Sequence, residues 1–377
     1  MKRTFLILVI LPFTIFHSST SLSFKQNIEV NSSETTFLEK VDSIVLNKMN
    51  QYNIPGLSIG IIRNDSIIYN KGYGVRSIKS NSLVTKNTIF HTASISKLFT
   101  AIAVMKLIEQ KAIKIDEKLV EILPELNYDD KRVENITIKN LLNHTSGLPD
   151  ITKYHWDNNN QSVNSLKDYI LGLNLKLDSD PSSEYQYSNL AYDVLGCVIE
   201  KVSGSSFDDF MKENILKKSG MYHSDFRYFK IPDSLKTVPH SRRWITGNIY
   251  ERQTYPYTRE HAPSSTLNSS SEDLSKWMIS FLQSLDNELS SINYENLIQP
   301  TFEPNEHIGL GFQLEEIDSF KKVGHYGGDK GFRSYLMMVP EEKIGLVVLA
   351  NCDYEEDFRQ EILHPIAKLM LTKPKLH

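Results

Sequence analysis

Apolar positions recur along this chain with two different spacings, and the spacing predicts which segments form helices and which form strands. Near the start, residues 41–50 have a helical pattern, and residues 56–75 contain two β-rich runs that a polar turn at residues 63–66 joins into a hairpin. From Ser94 to Lys111 the apolar residues return every three or four positions, which predicts a helix.

Strand patterns return at the end of the chain, after a region of predicted helices and loops at residues 112–290. Four runs there predict strands, and an amphipathic helix at residues 355–371 follows them. The four runs are LGFQLEEI, KKVGHYG, FRSYLMMVP and KIGLVVLAN. Strands at both ends of a helical middle imply an α/β (α+β) fold, in which one antiparallel sheet combines the hairpin with the last four runs.

The same pattern predicts one domain over residues 36–372. Its α/β part would comprise about residues 36–100 and 300–372, and a mainly helical insertion would span about residues 101–299. The cleft between the sheet and the insertion is the expected place for a site.

The first residues have the three parts of a secretory signal peptide. Lys2 and Arg3 supply positive charge, an apolar run extends from Phe5 to Phe16, and a tail rich in Ser and Thr follows. The apolar run is too short to span a bilayer comfortably. We therefore expect residues 1–24 to be a signal peptide and the protein to be exported, to the periplasm or outside the cell. An uncleaved N-terminal anchor is the alternative, and it is the only membrane contact expected.

Composition and charge narrow the class of partner and cofactor. The 377 residues are 40% hydrophobic and 23% charged, with a net charge of −4 and no long run of positive residues, so no nucleic acid partner is expected. Cys197 and Cys352 lie in apolar runs and are interpreted as small buried residues. No H-E-x-x-H and no paired Cys/His spacing occurs in the sequence. No metal and no organic cofactor is therefore expected.

The triplet Ser94-x-x-Lys97, at the start of a predicted helix, is the first candidate for catalysis. Residues three apart lie on one helical face, so the hydroxyl and the amine are expected to meet. The helix N-terminus favours an alkoxide, and partial burial is expected to lower the lysine pKa until a neutral amine can accept the serine proton. The alternative is a helix cap with an exposed lysine. Ser96 is a rival nucleophile with no lysine on its face, and Ser319 with Lys322 repeats the triplet in a strand-like stretch.

A second candidate is Tyr187-Ser188-Asn189, directly before a predicted helix. A phenol held beside an ammonium group is expected to have a lowered pKa and to serve as general base. The amide of Asn189 can hold the lysine or a substrate carbonyl.

The third candidate is the stretch His325-Tyr326-Gly327-Gly328, at the end of a predicted strand. Its glycines would let a substrate lie along the strand edge. The backbone N–H groups of Ser94 and Gly328 would together form an oxyanion hole. A β-turn with an exposed histidine is the alternative.

These three elements, in this order, resemble those of the serine β-lactamase and penicillin-binding-protein superfamily, which uses S-x-x-K, then Y-x-N or S-D-N, then K-T-G. The tyrosine of the second element resembles the branch of class C β-lactamases, D-aminopeptidases and esterases. Longer blocks also resemble this family, among them ITIKNLLNHTSGLPD and GHYGGDKGFRSYLMMVPEEKIGLVVLAN. The resemblance covers about residues 40–370 and implies a β-lactamase/transpeptidase-like fold.

The resemblance also implies a role for each candidate residue. Ser94 would be the nucleophile, Lys97 its activator and Tyr187 the acid/base. The residues on the substrate side would be Asn189, His325, Tyr326 and Gly327. His144 to Gly147, in the block HTSG, would form a structural loop under the site.

Two departures from the family pattern bear on the substrate. His325 stands where a lactamase has lysine, and Tyr326 where Thr or Ser is usual. Because that lysine helps to bind a substrate carboxylate, we expect avid recognition of penicillins to be lost. We also expect the larger Tyr326 to narrow the cleft.

The sequence therefore predicts an exported serine hydrolase that forms an acyl-enzyme on a small-molecule substrate, which would be an ester, a small amide or a D-amino-acid peptide. A β-lactamase or penicillin-binding D,D-peptidase is the alternative within the class. A protein that binds cell-wall fragments without turnover is the alternative outside it. Whether Lys97 or Tyr187 is the formal base is left open at this point.

Overall fold

The computed structural model of this protein describes residues 32–286, 294–354 and 356–371. The predicted signal peptide at residues 1–24 lies outside the described residues. The first helix, α1, spans Ser32–Tyr52, and the helix predicted from Ser94 to Lys111, α2, spans Ser96–Glu109. Both helices were expected from the apolar spacing.

Six strands form one sheet in which each neighbouring pair is antiparallel. They are β1 (Gly56–Arg63), β2 (Ser66–Gly74), β3 (Gln313–Ile317), β4 (Phe320–Asp329), β5 (Phe332–Val339) and β6 (Ile344–Ala350). Their order is β2-β1-β6-β5-β4-β3, so the first hairpin pairs with the last strand of the chain. The predicted α/β fold, with one antiparallel sheet built from both ends of the sequence, is confirmed.

The middle of the chain supplies helices and short segments. The longer helices are α3 (Asn189–Ser203) and α4 (Ser271–Leu285), and α5 (Phe358–Leu371) closes the described chain. Shorter α-helices span Leu119–Ile122, Ile138–Leu142, Ser165–Gly172, Phe207–Met211 and Ala262–Ser265. Two-stranded pairings join Phe90–His91 to Asn268–Ser269, Asn127–Tyr128 to Asn174–Leu175, and His240–Arg242 to Ile249–Glu251.

The sheet separates two apolar clusters. The first lies against α1 and α5 and includes Val348, and the second lies against α2, α3 and α4 and includes Val347. Because successive side chains of a strand point to opposite faces, neighbouring residues of β6 enter different clusters. Both faces are covered, which explains why the β6 sequence is apolar without alternation.

Three further observations concern the described residues. Cys197 and Cys352 are buried free thiols. Within residues 32–286, 294–354 and 356–371, no cluster of three or more His, Cys, Asp or Glu side chains could hold a metal ion. In the same ranges, no helix combines the length and apolar character needed to cross a bilayer.

Candidate active site

Ser94 lies in a 3-10 turn, Ala93–Ile95, that leads directly into α2. The preceding residue, Ala93, has a φ of 49°, in the left-handed region that residues with a Cβ rarely adopt. Strain of this kind persists where the surroundings enforce it, and it is common at functional sites. Ser94 is half-buried while its neighbours from Phe90 to Thr100 are buried, so its hydroxyl is the one that this turn presents to the cleft.

The turn is tied to the sheet by side chains on both sides of it. Ser334 Oγ donates to the Thr92 carbonyl at 2.7 Å. His91 Nε2 lies 2.7 Å from Asp329 Oδ2, at the end of β4. These contacts fix Ser94 relative to the strand that carries the third sequence element.

The ammonium group of Lys97 is fully buried and has three oxygen neighbours. Its Nζ lies 3.0 Å from Ser94 Oγ, 2.6 Å from Asn189 Oδ1 and 2.7 Å from the Ser264 carbonyl. A neutral amine has two N–H donors and one lone pair. As an ammonium, Lys97 donates to all three oxygens; once it is neutral, Asn189 Oδ1 and the Ser264 carbonyl accept its two N–H groups and the lone pair is left for the Ser94 hydroxyl.

Burial lowers the pKa of Lys97 to about 7, and the negative charges of Asp193, Asp150 and Asp329 limit that decrease. Desolvation acts in this direction because it penalises the charged form of a lysine. The sequence predicted a lowered pKa from partial burial, and the direction is confirmed with complete burial. A substantial fraction of Lys97 is therefore a neutral amine near neutral pH.

Asn189 is held in the orientation that Lys97 needs. Its backbone N–H and its side-chain Nδ2 both donate to Asp150 Oδ1, at 2.8 and 2.9 Å. Since a carboxylate only accepts hydrogen bonds, the amide nitrogen must face Asp150 and the amide oxygen must face Lys97. Ser188 caps α3, with its Oγ accepting from the Ala191 N–H at 3.0 Å. In the second element, Ser188 is therefore a helix cap, and Tyr187 and Asn189 belong to the site.

Tyr187 donates its hydroxyl to Ser94 Oγ at 2.9 Å, and its ring lies 4.5 Å from the ring of His144 and 6.2 Å from that of His325. The prediction that its pKa would be lowered is wrong. Burial raises the pKa of Tyr187 well above that of an ordinary phenol, and the carboxylates of Asp150 and Asp329 raise it further. The lysine therefore changes charge near neutral pH, and the phenol stays protonated.

His144 packs against the ring of Tyr187. It is buried, with a left-handed φ of 59°, and its Nδ1 accepts from the Ser188 N–H at 3.1 Å. Burial holds the pKa of His144 well below its usual range, and the charge of Lys97 adds to that effect. A neutral imidazole packed under Tyr187 fits the predicted structural loop.

His325 and Tyr326 face opposite sides of β4, as neighbours in a strand must. His325 is buried beside Tyr187, with Nδ1 2.5 Å from the Tyr326 carbonyl oxygen. Burial lowers the pKa of His325 to about 3, with the charge of Lys97 contributing. A neutral imidazole therefore occupies the position of the family's lysine.

The expectation that Tyr326 narrows the cleft is wrong. Its ring stacks on Tyr335 with centroids 3.8 Å apart, and its hydroxyl accepts from Gln360 of α5 at 2.6 Å. The side chain lies on the face of the sheet that packs against α5, away from Ser94, so only the backbone of Tyr326 remains available to a substrate.

Gly327 is where the strand passes closest to the Ser94 turn. A Cβ added there would lie 2.2 Å from the Thr92 carbonyl oxygen and 2.2 Å from Ser334 Oγ, and 3.3 Å from the Ser94 nitrogen. Only glycine permits this approach. β3 pairs with β4 only from Phe320 to Gly324, so the later residues of β4 have no strand partner on that side. The oxyanion hole of Ser94 and Gly328 stays a prediction that this close approach supports.

Two contributors to the site were not identified from the sequence. The Ser264 carbonyl, an acceptor for Lys97, is a backbone atom and leaves no side-chain signature. Asp150, which orients Asn189, ends the quoted block ITIKNLLNHTSGLPD. The signal available in the sequence was the residue type, because an ionised carboxylate only accepts hydrogen bonds and therefore suits the N–H groups of an amide.

We expect the burial of Lys97 to make the free energy of unfolding depend on pH. The folded-state pKa is about 7 and the ordinary value is 10.5, so between these values the unfolded chain binds one more proton. Stability that depends on Lys97 should therefore rise with pH, by about 1.4 kcal/mol per pH unit. Guanidinium unfolding of the wild type and Lys97→Met at pH values spanning this interval measures the difference. Equal slopes in the two proteins would contradict the lowered pKa.

Comparison with known proteins gives concordant findings. A family model described as Beta-lactamase matches residues 41–369. Protein flp of Staphylococcus aureus (strain MW2) is 29% identical over 323 residues, covering 84% of this chain and 64% of flp, so the chain spans less than two thirds of that relative. Penicillin-binding protein 4* of Bacillus subtilis (strain 168) is 28% identical over 330 residues, covering 82% of this chain and 70% of the relative.

A solved structure is also similar. The octameric penicillin-binding protein homologue from Pyrococcus abyssi matches with a TM-score of 0.75 and 26% sequence identity. The match covers 88% of this chain and 77% of that chain.

Proposed function

The chain belongs to the Beta-lactamase family, and we propose that it is a working serine hydrolase that forms an acyl-enzyme on Ser94 and cleaves esters or small amides, including peptides of D-amino acids. One observation carries the proposal. The buried Lys97 Nζ lies 3.0 Å from Ser94 Oγ and has Asn189 Oδ1 and the Ser264 carbonyl as its other two oxygen partners, so that in the neutral amine these two accept the N–H groups and leave the lone pair for the Ser94 hydroxyl.

Acylation begins when Ser94 Oγ attacks the substrate carbonyl and its proton passes to Lys97. The pKa of about 7 suits this transfer, because a base works best when its pKa is near the operating pH. The oxyanion that forms would be bound by the backbone N–H groups of Ser94 and Gly328. Of the two bases left open by the sequence, Lys97 is favoured, since the pKa of Tyr187 is raised.

The leaving group then departs with the proton of the Tyr187 hydroxyl. The ammonium of Lys97, formed in the previous step, stabilises the resulting phenolate and restores its proton; Nζ lies 5.0 Å from the centre of the tyrosine ring. Water next attacks the acyl carbon and gives a proton to Lys97. Ser94 Oγ leaves, regains that proton, and the acyl group is released as an acid.

The substrate preference rests on His325. A buried, neutral imidazole cannot supply the positive charge with which the family's lysine meets a substrate carboxylate. This supports esters and small amides over penicillins. A penicillin-binding or β-lactamase activity is the second candidate. It is supported by the similarity to penicillin-binding protein 4* of Bacillus subtilis and to the penicillin-binding protein homologue of Pyrococcus abyssi. Export, proposed from residues 1–24, would bring either activity to the cell surface.

Tyr187→Phe is expected to slow the hydrolysis of D-alanine p-nitroanilide by roughly 10²-fold or more, because the amine must leave protonated. A p-nitrophenyl ester should be affected much less, since p-nitrophenolate departs without a proton. The measurement is kcat/KM for both substrates in both proteins. Tyr185→Phe, which alters another half-buried tyrosine whose ring lies 5.9 Å from that of His144, is the control. Equal losses on ester and anilide would exclude Tyr187 as the acid.

The proposed activity is tested by steady-state assays of the wild type with p-nitrophenyl butyrate, D-alanine p-nitroanilide and benzylpenicillin. We expect turnover of the ester, slower turnover of the anilide, and weak reaction with the penicillin. A kcat/KM for the penicillin above that for the ester would favour a β-lactamase. An adduct on Ser94 with every acyl donor, and turnover with none, would favour a binding protein.

A further inference from the structure

A second cavity lies beyond the end of β4. It is a groove of about 450 Å³ between the segment from Thr152 to Asp157 on one side and Arg252, Thr254 and Lys330 on the other. None of these residues has a role in the mechanism above.

One lining residue of the groove lies close in the chain to Gly328 of the predicted oxyanion hole. Lys330 follows Gly328 by two residues, which is at most about 7 Å of chain. Tyr154 lines the groove, and its ring packs edge-on against His261 with centroids 5.0 Å apart. Burial raises the pKa of Tyr154, and the carboxylates of Asp329, Asp150 and Asp193 raise it further. The same three carboxylates act on the pKa of Lys97, so the groove and the catalytic residues share these charged neighbours.

Positive charge dominates the groove. Lys153, Arg252 and Lys330 line it, against one lining carboxylate, Asp157. Lys330 Nζ lies 5.8 Å from the ring centre of Trp156, a cation–π contact that holds the ammonium without neutralising it. In the ranges that the structure describes, neither Lys153 nor Lys330 forms an ion pair.

Arg252 contributes an unused donor. Its Nη1 donates to Ser241 Oγ at 2.8 Å and lies 3.8 Å from Asp353 Oδ2. Its Nε is buried and has no hydrogen-bond partner among the described residues. Trp156, stacked on Tyr154 at 5.0 Å, adds an apolar wall.

We propose that this groove binds a carboxylate of the substrate, at a distance from the scissile carbonyl. The inference rests on the proposed hydrolase function and narrows its substrate class to acyl compounds with an additional carboxylate, such as acidic peptides or monoesters of dicarboxylic acids. The cationic subsite lies beyond the strand, whereas the strand itself carries the neutral His325 where the family's lysine would be.

The test compares esters of equal length and different charge. p-Nitrophenyl hexanoate is the neutral substrate, mono-p-nitrophenyl adipate carries a carboxylate on the acyl side, and 3-carboxy-4-nitrophenyl hexanoate carries one on the leaving group. At low salt we expect kcat/KM for at least one anionic ester to exceed that for the neutral ester about fivefold or more. The preference should decline at about 1 M NaCl, because salt screens exposed charges.

The double variant Lys153→Met/Lys330→Met should lose the preference while its kcat/KM for the neutral ester stays unchanged. Lys218→Met, which removes an exposed lysine that does not line the groove, should keep the preference for the anionic ester. Turnover of the neutral ester with no preference for either anionic ester, or a preference that survives the double variant, would overturn this inference alone. No turnover of any ester and no labelling of Ser94 would overturn the proposed function as well.

Discussion

Ser94→Ala is expected to lower kcat for a p-nitrophenyl ester by about 10⁴-fold or more, because it removes the oxygen atom that both the base and the acid contact. Lys97 Nζ lies 3.0 Å and the Tyr187 hydroxyl 2.9 Å from Ser94 Oγ. The fold should be little affected. The side chain of Ser94 is half-buried, and Lys97 keeps two other oxygen partners. The measurement is kcat beside a thermal unfolding curve for each protein.

Two serines provide matched controls for that variant. Ser319 begins the second copy of the serine–lysine triplet but is exposed, and its Lys322 is buried against Tyr335 and His364 instead. Ser96 Oγ donates to the Ala93 carbonyl and accepts from the Leu267 N–H, at 2.6 and 2.9 Å. We expect Ser319→Ala to leave kcat and stability unchanged. Ser96→Ala should lower stability by about 1 kcal/mol per lost hydrogen bond and keep turnover. Turnover that survived Ser94→Ala and vanished in Ser96→Ala would reverse the assignment.

Lys97→Met is expected to reduce kcat/KM for a neutral ester by roughly 10³-fold, since it removes the proton acceptor of the nucleophile. In the wild type, kcat/KM should rise with pH through about 7, because the lowered pKa makes the amine neutral, and therefore basic, above that value. The rise should be absent from the residual activity of the variant. A pH profile of kcat/KM in both proteins tests both statements.

Lys106→Met is the matched control, since Lys106 lies in the last turn of the same helix and is only half-buried. It should retain the wild-type rate and pH profile. A wild-type profile of kcat/KM that is flat through pH 7, or a Lys97→Met protein with near-normal kcat/KM, would exclude Lys97 as the base. Tyr187 would then be the remaining candidate for the base.

The sequence predicted the sheet and the meeting of the site residues for a physical reason. A spacing of three residues brings the side chains of Ser94 and Lys97 to the same side of a helical turn, and this holds although Ser94 lies in the 3-10 turn that precedes α2. The β-rich runs at both ends of the chain likewise predicted the strands, and their position around a helical middle implied one shared sheet. The turn and the strands depend on local geometry, which a sequence contains directly.

Properties that depend on surroundings were less accessible. The raised pKa of Tyr187 results from desolvation by side chains that are remote in sequence, and the sequence suggested only the neighbouring ammonium. The contact between Lys97 and the Ser264 carbonyl could not be predicted either, because the two residues are remote in sequence and a backbone carbonyl has no side-chain signature. The outward direction of Tyr326 is a different case. Strand alternation puts it opposite His325, so that signal was present in the sequence.

The central claim is that Ser94 is the nucleophile of an acylating site. Intact-mass spectrometry of the wild type and Ser94→Ala after treatment with a fluorophosphonate tests it most directly, with Ser319→Ala as control and peptide mapping of any adduct. We predict one adduct per chain in the wild type and in Ser319→Ala, mapped to the peptide that contains Ser94, and none in Ser94→Ala. Equal labelling of wild type and Ser94→Ala would contradict the account, because the nucleophile would then lie elsewhere in the chain.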